Sequence, residues 1–366
     1  MRCRRVYRPI QNHIALYHGP NPMTPNNNQS TDWLDYVRAF ATCSVVLLHV
    51  AAFVLVSSKI TLASWWTANV YDSAMRACVP LFLMLTGALV VPQKYELLVY
   101  LKKRLIRIIL PFLFWNAVYD AYKYYVELPA GAIQGLSGHI NWLYATFQKG
   151  AMYHFWYIYM CVGIYLFIPV ISPWLRNTDK YEIIYFLCIW IFTLFESYPF
   201  FNFYAPKIEL QYFSGYLGYV VLGYFIATQP SEKQIFKGLA ITAVLLGFLL
   251  TAFGVYYFSI KNHQLTETAY GNLTPNVLLM AAGIFYLVKQ ASWPPVSGIV
   301  KLICRNNYTI YLAHVLVLLL LQRAGINAFI INPILGIPLV TLLCLGITIC
   351  LAWGLNKSPF GKYIGG

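Results

Sequence analysis

The feature that most constrains this chain is its series of long apolar runs, each carrying almost no charge. Runs such as 34–56 and 274–288 approach the length at which a helix crosses a bilayer core of about 30 Å, with a rise of 1.5 Å per residue. Backbone amides find no water there, so such a chain must satisfy them internally, as helices or as a closed barrel. The length of the runs selects helices. Ten spans are expected, at roughly 34–56, 75–91, 105–126, 154–171, 182–198, 211–227, 236–258, 274–288, 306–322 and 333–354. The segment 139–148 is too short to cross and is expected at the interface. Composition removes the soluble alternative: 59% of the 366 residues are hydrophobic and 10% charged, where a soluble domain carries about 25% charge. The fold class is therefore all-α, a polytopic membrane protein of about ten transmembrane helices. Pro80, Pro111, Pro169 and Pro338 fall inside the runs and predict kinks or helix ends.

A net charge of +14 would suit nucleic acid if it formed one patch. Here the basic residues are divided among short segments between apolar runs, which is the pattern of membrane topology. With the N-terminus inside, 18 of the 26 Lys and Arg fall in inner segments and 7, Arg76 among them, in outer ones. That bias predicts cytosolic termini. Residues 1–31 form an expected disordered tail, basic at Arg2, Arg4, Arg5 and Arg8 and then rich in Pro and Asn. The tail lacks the apolar stretch of a signal peptide, and Met23 is an alternative start. The domain reading is a tail at 1–31, one transmembrane domain at 32–356 and a short cytosolic tail at 357–366. Eight cysteines without a CxxC pair give neither a disulfide framework nor a metal site.

The first span contains Asp35, Arg38 and His49. Eleven helical steps bring His49 back to within about 20° of Arg38 and about 16 Å farther along, near the bilayer midplane. An ionisable group at that depth faces a bundle interior or a wet cavity; a histidine hydrogen-bonded between helices fits the same spacing. Asp35 is placed to orient Arg38 as an i,i+3 ion pair. Arg104 and Arg107 share a face at the start of the third span. They suit either topology anchoring or an anion, since helix N-termini also favour negative charge. His154 opens the fourth span beside Trp156 and Tyr157, readable as an aromatic belt or as a sugar-stacking acceptor platform. His314 lies near Tyr308 and Tyr311 in the ninth span, and Glu196 near the outer end of the fifth; all are candidate acceptor or cavity residues.

Arg38 with His49, then Val79-Pro80-Leu-Phe-Leu-Met-Leu-Thr86-Gly87, the Arg104/Arg107 pair, and Asn307-Tyr308-Thr-Ile-Tyr311-Leu-Ala-His314 follow one another in that order. Together they resemble the membrane acyltransferase family three over residues 33 to about 355. Ala74-Met-Arg76-Ala-Cys-Val-Pro80 and Tyr153-His154-Phe-Trp156-Tyr157 resemble its enterobacterial common antigen O-acetyltransferase type. Thr86 departs from the usual serine but keeps a hydroxyl. The resemblance implies a multi-pass protein of the bacterial inner membrane that moves an acetyl group from cytosolic acetyl-CoA to a hydroxyl of a lipid-linked or surface glycan. Acetyl-CoA is then a co-substrate, and neither metal nor nucleic acid is expected. Arg38, Arg104 and Arg107 would take the donor phosphates, with Asp35 bracing Arg38, and His49 would be the general base; an acyl-histidine route is a second mechanism. A transporter or flippase for an anionic or glycan-lipid substrate, and a non-catalytic accessory subunit of glycan synthesis, are the alternative functions. The absence of self-similarity between the chain halves weighs against a transporter.

Overall fold

The computed structural model describes residues 31–129, 132–198, 200–201, 210, 212–230, 234–359 and 361–365. The expected disorder of residues 1–30 and the alternative start at Met23 lie outside them. The described residues form helices without strands: α1 (Asp32–Ser57), α2 (Ala63–Met75), α3 (Cys78–Val90), α4 (Leu97–Tyr122), α5 (Gly135–Lys149), α6 (Trp156–Asn177), α7 (Lys180–Phe195), α8 (Leu217–Thr228), α9 (Gln234–Lys261), α10 (Pro275–Gln290), α11 (Gly298–Arg323) and α12 (Pro333–Lys357).

Among the described residues, 7 helical stretches are long and apolar enough to cross a membrane: Asp32–Ser57, Ala63–Val90, Tyr153–Asn177, Gln234–Lys261, Thr268–Gln290, Gly298–Arg323 and Pro333–Lys357. The chain is an all-helical, multi-pass membrane protein. Three further helices lie where spans were expected and fall short of that standard. α4 carries Lys102, Lys103, Arg104 and Arg107 in its first half, and α7 and α8 have 16 and 12 residues. The segment expected at the interface is α5, a helix with no buried residue. Leucines and aromatics such as Leu245, Leu249, Phe253, Leu342 and Trp353 stand exposed on α9 and α12, as lipid-facing surfaces require.

The second span differs from its expected bounds. It begins at Ala63, not near 75, and breaks at Arg76–Ala77 between α2 and α3. Pro80 explains the break, because a proline cannot donate to the carbonyl four residues earlier and its ring collides with it. That carbonyl belongs to Arg76. Arg76 therefore sits in the middle of a span and not in an outer segment. Hydropathy missed α2 because Asn69, Asp72 and Ser73 are polar, yet all three are buried inside protein. Asn69 Nδ2 donates to Ala252 O at 3.0 Å, and Asn69 Oδ1 accepts from Tyr270 Oη at 2.6 Å. Pro111, Pro169 and Pro338 lie within continuous helices instead of ending them.

α1 is the central helix, packed against α2, α3, α10, α11 and α12. α3 is fixed by a backbone crossing with α8: a Cβ on Gly87 would lie 1.9 Å from Val220 O, and one on Gly223 would lie 2.1 Å from Met84 O. Glycine is the only residue that permits this approach, which is how small residues pack membrane helices. The C-terminal residues fold back onto the bundle. Thr309 Oγ1 donates to Gly365 O at 2.6 Å and Trp115 Nε1 to Ile364 O at 3.2 Å.

Candidate active site

α1, α3, α4, α6 and α11 surround a vestibule of about 520 Å³. Arg38, Arg104 and Arg107 all line it, so the cationic residues singled out in the sequence converge. Arg305 of α11 joins them. It was missed because the ninth span was drawn from 306, while the helix begins two turns earlier at Gly298. Asp35 braces Arg38 as expected, with Nη1 donating to Oδ1 at 2.6 Å. The Arg104 guanidinium carbon lies 5.8 Å from the Tyr165 ring centre. The Thr86 hydroxyl, in the position where serine was expected, donates to Phe82 O at 3.0 Å. Four guanidinium groups around one cavity suit a polyanion, because each presents a planar fork that matches phosphate oxygens.

Beyond the vestibule lies a chamber of about 110 Å³, lined by His49, Arg76, Cys78, His154, Trp156, Asn272 and flanking apolar residues. Three histidines far apart in sequence meet here. His49 and His314 ring centres are 5.1 Å apart, His154 and His314 5.3 Å, and His49 and His154 6.5 Å. His314 is wholly buried behind the chamber wall. Its Nδ1 faces the carbonyls of Tyr311 at 2.7 Å and Ile310 at 3.1 Å. Carbonyls only accept, so Nδ1 carries the proton and Nε2 is bare. Nε2 of His314 and both ring nitrogens of His154 have no hydrogen-bond partner among the described residues. Tyr153 Oη lies 3.3 Å from His49 Nδ1. Sequence reasoning passed over Tyr153 as a site residue, although it adjoins His154.

His154 reaches the chamber on irregular backbone. Gly150 adopts φ +83°, Ala151 and Met152 are buried, and a short 3₁₀ turn runs Tyr153–Phe155. Non-helical backbone is tolerated at membrane depth when protein satisfies it. Asn116 Oδ1 accepts from Ala151 N at 2.7 Å, and Tyr311 Oη donates to His154 O.

Phe82, Tyr157 and Tyr311 line both cavities and form the wall between them. Tyr157 stands 5.2 Å from Tyr311 and 6.2 Å from Phe82, centre to centre. Trp156 and Tyr157, read from sequence as a belt or platform, thus line the chamber. Arg38 and His49 serve the two cavities from one helix, as their spacing implied. Glu196 does not join them. It is exposed at the C-cap of α7 and lines neither cavity, because an acid at the end of an apolar run is satisfied by solvent there.

An arginine vestibule and a histidine chamber that share an aromatic wall within a helical membrane bundle bring together groups that suit an anionic ligand and groups that suit acid–base chemistry. Residues 31–354 match the family model described as an acyltransferase domain, and the chain belongs to this acyltransferase-3 family. No curated protein and no solved structure matches the chain.

Proposed function

We propose that the protein is an acetyl-CoA-dependent O-acetyltransferase of the bacterial inner membrane, acting on a hydroxyl of a lipid-linked or surface glycan. The observation that carries this reading is the shared wall of Phe82, Tyr157 and Tyr311, which joins the four-arginine vestibule to His49. The donor's phosphates would rest against Arg38, Arg104, Arg107 and Arg305, and its thioester arm would pass that wall. In this reading ten helices span the membrane and both termini are cytosolic, so the vestibule faces the donor pool.

With His49 Nδ1–H donating to Tyr153 Oη, Nε2 is the free base. It takes the acceptor hydroxyl proton as that oxygen attacks the thioester carbon. The intermediate collapses by breaking the carbon–sulfur bond, and the departing thiolate receives the proton from His49. Acetyl ester and free coenzyme A are the products. His314 holds the ring of His49 from behind, and Trp156 with His154 forms the acceptor side.

The test is incubation of purified protein in lipid nanodiscs with radiolabelled acetyl-CoA and extracted glycan. Label appearing in glycan, as an alkali-labile ester, is the expected result. Movement of glycan lipid between leaflets without labelling would replace this reading with a transporter.

A further inference from the structure

The distribution of basic residues along the sequence assigns Arg76 to an outer segment, yet it lies in the chamber wall with His49 and His154. We propose that Arg76 is a catalytic residue that binds the acyl carbonyl oxygen as negative charge develops on it during transfer. The inference rests on the acetyl-transfer reading of the chamber and adds to it the group that His49 does not provide.

The arginine is locked before any substrate arrives. Asp72, one turn earlier and fully buried, accepts from Arg76 Nε at 2.5 Å. The guanidinium carbon stacks 3.8 Å from the Tyr270 ring centre. Tyr270 is itself fastened to Asn69, whose Oδ1 also accepts from Ser73 Oγ at 3.1 Å. The Asp72 contact engages Nε alone, and neither Nη group makes a hydrogen bond among the described residues. A planar donor edge is therefore left over, held rigidly in the wall of a small cavity. Pro80 contributes by breaking the helix at Arg76 and shifting the guanidinium's anchor point from the regular helical path.

The chemistry of the step requires such a group. When the acceptor oxygen bonds to the thioester carbon, the carbonyl π pair moves onto oxygen. When the pair returns, the carbon–sulfur bond breaks and sulfur leaves with its electrons, to be protonated from His49. The charge on oxygen exists only between these events. Fixed donors aimed at it accelerate the reaction, because they need no reorganisation in a water-poor site. The chamber has about one-fifth of the vestibule's volume (110 against 520 Å³), which matches an acetyl-sized head and leaves the donor's bulk outside.

A buried Asp–Arg pair can also serve only as a staple between helix turns, and the experiment separates the two roles. Full-length protein in nanodiscs is compared as wild type, Arg76→Gln, Arg76→Lys and the double variant Asp72→Asn/Arg76→Gln. Turnover, coenzyme A binding and thermal unfolding are measured for each. Loss of an oxyanion donor costs about 10²–10³ in kcat, so Arg76→Gln should fall by that factor with coenzyme A affinity unchanged. Arg76→Lys should recover part of the rate. The double variant removes both charges together and should restore the unfolding temperature without restoring turnover. Wild-type turnover in the double variant or in Arg76→Gln would overturn the assignment, as would failure of the double variant to fold. A wild type that transfers no acetyl group would overturn the proposed function, and this inference with it.

Discussion

Two arginines in this protein are each held by an aspartate one helical turn earlier, and they differ in what surrounds them. Arg38 and Asp35 meet at 2.6 Å in the vestibule with 26% and 38% of their side chains exposed. Arg76 and Asp72 meet at 2.5 Å in the chamber wall with 14% and 0% exposed. The first pair is wet, so its attraction is screened and worth at most about 1 kcal/mol. In the proposed reading Arg38 would trade its aspartate for a donor phosphate at little cost. The second pair is desolvated, and neither partner can leave without abandoning a buried charge. One motif thus gives a solvated, exchangeable pair beside the vestibule and a desolvated, fixed pair in the chamber wall.

The largest contrast between the two regions is expected at His49. Alanine, asparagine or glutamine there should lower turnover by about 10²–10⁴ while coenzyme A binding persists, in a single-turnover assay paired with equilibrium binding. Amide variants that retain near-normal turnover would move the base to another residue, with His314 next in line. Next comes stability. Asp72→Ala strands a buried guanidinium and should cost roughly 3–5 kcal/mol, read as a large drop in unfolding temperature, whereas Asp35→Ala should change it little. Equal losses at both sites would erase the distinction between wet and dry pairs.

At the mouth, Arg104→Ala or Arg107→Ala should raise the KM for acetyl-CoA by about one to two orders of magnitude, since charged hydrogen bonds are worth about 1.5–3 kcal/mol. Lysine should restore part of that loss. An unchanged KM would return the pair to topology anchoring. The smallest effect is that of salt. Near 1 M the Debye length shrinks to about 3 Å, so donor KM should rise several-fold while kcat at saturation holds. A fall in kcat instead would mean that the chamber is as open to solvent as the vestibule.

The mouth was far more legible in the sequence than the chamber. Arg38 and His49 share one helix, so their register follows from helical geometry alone. Arg104 and Arg107 are likewise local neighbours, and all of these except His49 line the vestibule. The chamber depends on contacts that no spacing encodes, as His49, His154 and His314 come from α1, the Tyr153–Phe155 turn and α11. Hydropathy also reports exposure to lipid and is blind to helices shielded by protein. Hence hydropathy omits α2, with its buried Asn69, Asp72 and Ser73, and sets Arg76 at the outer end of the second span. The signal that could have corrected this was Pro80, whose distance from Arg76 marks a helix break.

The wall of Phe82, Tyr157 and Tyr311 has a consequence for the cell as well as for the reaction. Buried histidines such as those of the chamber are groups from which proton relays across membranes are made, whereas the vestibule arginines stay charged. A continuous wet column linking them would let the transmembrane potential, about 2.3 kcal/mol per charge for each 100 mV, drive protons through every copy of the protein. Three aromatic rings divide that column into two compartments. In the proposed reading this wall is electrical insulation, which would let a catalyst in an energised membrane work without discharging it.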